Sequence, residues 1–209
     1  MSFPKGKFVT FEGGEGVGKS TQAKILAQRL FEEGRKVFVA REPGGDEIGE
    51  KIRELLKSSK KIDPICELLL LFVARRDNFI KIISPRINDG YFVICDRFYD
   101  STLVYQGLLK GVSIEDIMKL KRIAIGDFEP DLTLVLDVEA EVSKRRATER
   151  SLICDEYDKM SLQKHEIVRE GFRKIADIFS FRSALINASG TERAVASRIW
   201  KALEKRLDV

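Results

Sequence analysis

At 209 residues the chain has length enough for one sizeable core and no need of a second domain. Its 37 basic and 33 acidic side chains leave a formal charge of only +4, which argues against the one-sided basic face of a protein that works on a nucleic-acid backbone. Three cysteines, Cys66, Cys95 and Cys154, never in Cys-x-x-Cys spacing, signal neither a disulfide framework nor a zinc site and fit a reducing, cytoplasmic setting; no segment approaches the ~18 apolar residues of a membrane span.

The first predicted strand, KFVTFE over 7–12, runs into a glycine-rich turn and a helix over about 19–33 that Gly34 closes. A second strand over 36–40 precedes helices over about 48–57 and 64–83. The third strand, YFVICD over 91–96, leads to a helix over about 113–126, opened by Ser113 with Asp116 three residues on. LTLVLDV, 132–138, is the fourth strand, followed by a helix over 139–149. An aperiodic, doubly charged stretch over about 146–160 reads as a surface loop or a lid. A helix over 161–179, a strand over 184–187 and a helix over 191–207 behind Thr191 complete the chain. The strands are apolar nearly throughout instead of alternating, the pattern of strands covered on both faces. Strand and helix alternation then predicts an α/β protein with a five-stranded parallel sheet and right-handed crossovers.

The turn after the first strand carries the chemistry. Gly13-x-x-x-x-Gly18-Lys19-Ser20 satisfies G-x-x-x-x-G-K-[ST] in the required setting, after a strand and before a helix. Glycines let backbone N–H groups turn inward around phosphate oxygens, and the helix beginning near Lys19 adds its positive N-terminal end. Gly13, Gly14, Glu15, Gly16, Val17, Gly18, Lys19, Ser20 and Thr21 thus form a cradle for a nucleoside triphosphate. Lys19 is placed to reach the β- and γ-phosphates and the Ser20 hydroxyl to hold Mg²⁺. A dinucleotide fingerprint fails because Lys19 stands where the third glycine would be. No Asn-Lys-x-Asp string marks a guanine site, and the chain is short for a motor or transporter ATPase. A small-molecule kinase is the remaining class.

Further strings name an acceptor. EGGEGVGKST at the turn, REPGG (41–45), ELLLLFVARRDN (67–78), DRFYDSTLVYQG (96–107) and PDLTLVLDV (130–138) together resemble the bacterial-type thymidylate kinases over nearly the whole chain. The resemblance implies a three-layer P-loop kinase fold, ATP-dependent conversion of dTMP to dTDP, Mg²⁺, and a homodimer. It gives Phe72 the role of stacking on thymine, with Arg76 one turn later as donor to a thymine carbonyl; adjacent Arg75 reads as a surface residue. Asp96 and Arg97 end the third strand at the carboxyl edge, where such sheets bind ligands, Asp96 near the metal and Arg97 on phosphate oxygens. Ser101, Thr102, Tyr105 and Gln106 line the sugar and base, the Tyr105 ring filling the space of a ribose 2′-hydroxyl. Arg53 reaches the acceptor phosphate, Glu42 touches the metal's water shell, and Glu15 turns away from the triphosphate towards the 3′-hydroxyl. His165 reads as a surface residue with no chemistry.

One departure concerns the lid. Bacterial-type relatives carry no arginine after the loop's acidic residue, and Gly16 agrees; they take that charge from the lid, commonly from an Asp-Arg pair. Here the matching string is CDEYDKM, with Glu156 where the arginine is expected, so Arg150 or Arg146 has to supply it, Arg150 being favoured. Two alternatives stay open: a kinase for another nucleoside monophosphate, and a non-catalytic nucleotide-binding switch.

Overall fold

The computed structural model describes residues 6–59, 61–150 and 160–207; the side chain of Arg150, together with Cys154, Glu156 and most of the expected lid, lies outside the described residues. Strands β1 (Lys7–Glu12), β2 (Val37–Arg41), β3 (Phe92–Asp96), β4 (Leu132–Asp137) and β5 (Ser183–Asn187) form one parallel sheet in the order β2-β3-β1-β4-β5. Side-chain alternation divides each inner strand between two cores. Phe8, Val93, Cys95 and Val135 face one side; Val9, Phe11, Ile94, Leu134 and Leu136 face the other. Helices α1 (Lys19–Glu32) and α9 (Glu192–Arg206) cover the second core, contributing Leu26, Leu30, Ile199 and Trp200. Both inner-strand faces are therefore apolar, which is why the strands read as unbroken apolar runs.

On the first face lie α3 (Pro64–Asn78), α6 (Ile114–Ile125) and α8 (Leu162–Ile178), with α2 (Glu47–Ser58) packed outside α3. Their starts follow capping chemistry. The side chains of Asp46, Asp63, Ser113, Ser161 and Thr191 each accept from a backbone N–H of the first turn that follows.

Three expectations need correction. The helix expected over 64–83 continues past its proline: a π-helical turn, Phe79–Ile83, leads into α4 (Ser84–Asn88). Pro85 lies in the first turn of α4, and the helical run extends beyond the expected end at 83. The stretch between β3 and the helix expected from about 113, to which the sequence pattern assigns no element, is helical, with α5 (Tyr99–Thr102) continuing into a π-helical segment, Leu103–Leu109. Helix α7 (Ala140–Arg150) also holds through residue 150, inside the stretch expected to be aperiodic from about 146.

A buried ion pair pins the site wall. Arg182, just before β5, forks both Nη atoms onto Asp100 of α5 at 2.8 Å and also bonds the Tyr99 hydroxyl at 2.7 Å. Removing one partner of such a pair leaves a buried charge uncompensated, a cost of about 3–5 kcal/mol. The exposed i,i+4 pair Lys51–Glu47, by contrast, contributes about 0.3–0.5 kcal/mol. No described helix is long and apolar enough to cross a membrane.

Candidate active site

The glycine-rich turn joins β1 to α1 at the carboxyl edge of the sheet. Gly13, Gly16 and Gly18 all have positive φ. At Gly13 a Cβ would stand 2.6 Å from the Leu136 carbonyl, so glycine is required by space as well as by backbone angle. Lys19 is buried under the loop, its Nζ donating to the carbonyls of Gly13 at 3.0 Å and Gly14 at 2.6 Å. Burial, and next the charge of Arg97, pull its pKa down from 10.5 to about 8. One residue on, the Ser20 hydroxyl donates to Asp96 Oδ2 at the end of β3, so the two expected metal ligands meet directly.

Arg97 follows Asp96 with φ 72°, in the left-handed region that a bulky side chain rarely adopts. Its Nη2 donates to Glu15 Oε1, and its Nη1 to the Gly13 carbonyl at 3.3 Å and the Ser101 hydroxyl at 3.0 Å. The Tyr105 hydroxyl lies 3.4 Å from Glu15 Oε1 and 3.5 Å from Arg97 Nη2, with the Arg97 guanidinium 5.1 Å from the Tyr105 ring centre. Glu15, Arg97, Ser101 and Tyr105, named from four separate positions, thus form one cluster. Arg53 donates to the Pro43 carbonyl at 3.0 Å. Burial, then Arg41, depresses its pKa, and Arg97 adds to the effect, so the site concentrates positive charge.

Phe72, Arg75, Glu42 and Thr102 form the inner wall, and here the sequence reading is corrected. Arg75 is no surface residue. It is 3 % exposed, its Nε donates to Glu42 Oε2 at 2.7 Å and its Nη2 to Thr102 Oγ1 at 3.1 Å, with the guanidinium 4.8 Å from the Phe72 ring centre. Arg76 turns the other way and donates to the Ala124 carbonyl near the end of α6 at 2.8 Å. Both i+3 and i+4 neighbours of Phe72 lie near its face of the helix. The packing of α6 against α3 takes Arg76 and leaves Arg75 beside Glu42 and Thr102. Burial raises the pKa of Glu42, and Arg75 opposes it. Glu42 Oε1 and Arg75 Nη1 are buried without hydrogen-bond partners, an acceptor and a donor left over in one wall. Gln106, also buried, donates to Glu67 of α3 at 3.1 Å.

Helix α7 docks on the loop from above. The Ser143 hydroxyl donates to the Glu15 carbonyl, and a Cβ on Gly16 would lie 2.3 Å from the Ser143 carbonyl. Ser143 carries no pattern that sequence could have revealed. Arg146, one turn further, lines a cleft of about 270 Å³ with Gly16, Gly18, Thr21, Gln22, Gly190 and Glu192 at the start of α9. His165 is a second correction: it is 3 % exposed, beside Gly14, Ser143 and Arg169, and burial lowers its pKa. Its place on α8 under the loop is a long-range contact, invisible in LQKHEIV.

The arrangement is one edge of a sheet with a polyphosphate cradle, a cleft beside it under α7, and a cluster of cationic and aromatic side chains around Arg97 and Arg75. The thymidylate kinase family profile matches residues 11–199. The chain is 43 % identical over 207 residues to a thymidylate kinase of Bradyrhizobium sp. (strain ORS 278), covering 97 % of this chain and 92 % of that one. It is 42 % identical over 200 residues to that of Synechococcus sp. (strain JA-2-3B'a(2-13)), covering 96 % and 95 %. The crystal structure of thymidylate kinase from Ehrlichia chaffeensis superposes with a TM-score of 0.80 at 33 % identity, covering 96 % of this chain and all of that one. The chain belongs to the thymidylate kinase family.

Proposed function

We propose that the site passes the γ-phosphoryl of ATP to the 5′-phosphate of dTMP by alignment and charge neutralisation, the cradle holding the donor and the Arg97 cluster the acceptor. The activity itself, phosphorylation of thymidylate with ATP, is that of the family. What carries the assignment of roles is the meeting of Glu15, Arg97, Ser101 and Tyr105 beyond the cradle. A phosphate monoester has its second pKa near ~6 and arrives mostly dianionic, so the acceptor needs no strong base. Lys19 neutralises the donor's phosphates, Arg97 and Arg53 hold the acceptor's, and the transfer is in line between them. Phe72 faces the base, and the spare donor of Arg75, not Arg76, meets a thymine carbonyl, with Thr102 and Gln106 backing the pocket. Ser20 and Asp96 supply a hydroxyl and a carboxylate, the hard oxygen donors that Mg²⁺ takes alongside phosphate oxygens and water. Mg²⁺, when held there, would neutralise charge on the donor phosphates; Glu42, engaged by Arg75, is a weaker candidate for its water shell. A coupled assay of ADP release over a panel of nucleoside monophosphates tests the whole reading. It requires dTMP to be the best acceptor, and acceptor-independent release would sink it.

Two narrower results follow. Since binding triphosphate needs Lys19 charged, and its pKa is depressed from 10.5 to about 8, ATP affinity should fall as the pH rises above about 8, approaching about tenfold per unit. Fluorescence titration with a labelled ATP from pH 7 to 10 reads this; Lys19→Arg, which keeps its proton, should show a flatter profile, and a flat wild-type curve would remove the argument. Tyr105, 5 % exposed beside Glu15 and Arg97, walls the sugar. Tyr105→Ala should therefore improve the ribonucleotide relative to dTMP by about tenfold or more. An unchanged preference would place the gate elsewhere.

The protein acts as one domain, with the stretch over about 146–160 as its lid, in the cytoplasm and as a homodimer. Ile65, Leu69 and Val73, spaced by four on the outer face of α3, are each about half exposed, with Leu55 similarly exposed on neighbouring α2. Sedimentation should show a dimer that Leu69→Glu dissociates. A monomeric wild type would contradict this.

A further inference from the structure

Glu12, the last residue of β1, is completely buried, and no role above uses it. Its Oε1 accepts from the Phe98 N–H at 2.7 Å and its Oε2 from the Ser101 hydroxyl at 2.6 Å. Ser101 Oγ in turn accepts from Arg97 Nη1 at 3.0 Å, and the Arg97 N–H is held by the Phe11 carbonyl, also at 3.0 Å. The carboxylate therefore grips Arg97 from both ends: at the amide that follows it and, through one hydroxyl, at its guanidinium.

Arg97 needs such a grip. A non-glycine residue in the left-handed region is strained and persists only where its surroundings over-determine it. A carboxylate is in turn an expensive thing to bury. Burial and next the nearby Asp100 raise the pKa of Glu12, and Ser101, Arg97 and the Phe98 N–H oppose them. An apolar residue would end an inner strand more cheaply. We propose that Glu12 is a positioning residue for phosphoryl transfer, fixing both the left-handed backbone of Arg97 and the direction of its guanidinium through Phe98 and Ser101. The inference rests on Arg97 holding the acceptor phosphate.

The test is a double-mutant cycle. Glu12→Gln keeps shape but replaces one acceptor oxygen by a donor, and Ser101→Ala cuts the side-chain link alone. Steady-state kinetics are measured for both, for Arg97→Ala, and for Glu12→Gln combined with Arg97→Ala, with thermal midpoints as a check on folding. Glu12→Gln should lower kcat/KM for dTMP about tenfold or more while the KM for ATP moves less than about twofold. Ser101→Ala should shift the same parameter in the same direction. In the Arg97→Ala background, Glu12→Gln should add less than about threefold, because both act through one group. Wild-type kinetics for Glu12→Gln, or a full additive loss on top of Arg97→Ala, would overturn the proposal. If Glu12→Gln does not fold, an unaltered Ser101→Ala overturns it instead. Wild-type activity of Arg97→Ala would refute a different statement, the assignment of Arg97 to the acceptor.

Discussion

Changing Lys19 to alanine is expected to lower turnover by at least about 10²–10³-fold, the scale of losing one preorganised charged donor at a reacting phosphoryl group. The fold should survive. Lys19 is buried, but the role proposed for it is that of a phosphate ligand and not of a packing residue: its ammonium donates to the carbonyls of Gly13 and Gly14, and burial already works against its charge. Truncation removes that desolvation cost and two hydrogen bonds together, so the two changes offset to within about 1–2 kcal/mol. Turnover and thermal midpoint, measured on one preparation, separate the two effects. Turnover near that of the wild type would contradict the cradle's assignment, and an unfolded variant would show that the lysine props the loop.

The second large effect belongs to the arginine that meets the transferring phosphoryl group. Such a residue is worth roughly 10³–10⁵ in related phosphoryl transfers. Glu156 cannot serve, and the two arginines of α7 compete. Arg150, favoured by sequence for its place inside an aperiodic stretch, is instead the last residue of α7, whereas Arg146 lines the cleft beside Gly16 and Gly18. Arg146→Ala is therefore expected to lose at least about 10²-fold in turnover, allowing for partial rescue by Arg150, with dTMP affinity little changed. Single-turnover rates for Arg146→Ala, Arg150→Ala and Glu156→Ala decide it. A normal Arg146→Ala beside a crippled Arg150→Ala returns the role to the helix end.

What sequence could and could not foresee follows from the range of the interactions. The strands were legible because both faces of each inner strand are covered, so composition alone marks them. The cradle was legible because its chemistry lies within eight consecutive positions, Gly13 to Ser20. Arg75 was expected at the surface and is buried because adjacent helical positions differ by about 100° of rotation, and only the neighbouring elements decide which one is enclosed. His165 and Glu12 were missed for a related reason: one is buried by α7 and the phosphate loop, the other by α5, and neither burial leaves a local pattern.

The contact between Gly16 and α7 bears on how such an enzyme could be rebuilt. A side chain at position 16 would strike the Ser143 carbonyl at 2.3 Å and the Ala147 amide at 2.8 Å. An arginine introduced there, beside the donor phosphates, would therefore lever α7 off the loop and carry Arg146 out of the cleft. The two sources of positive charge compete for the same volume, and exchanging one for the other demands a coordinated change in the helix, never a single substitution.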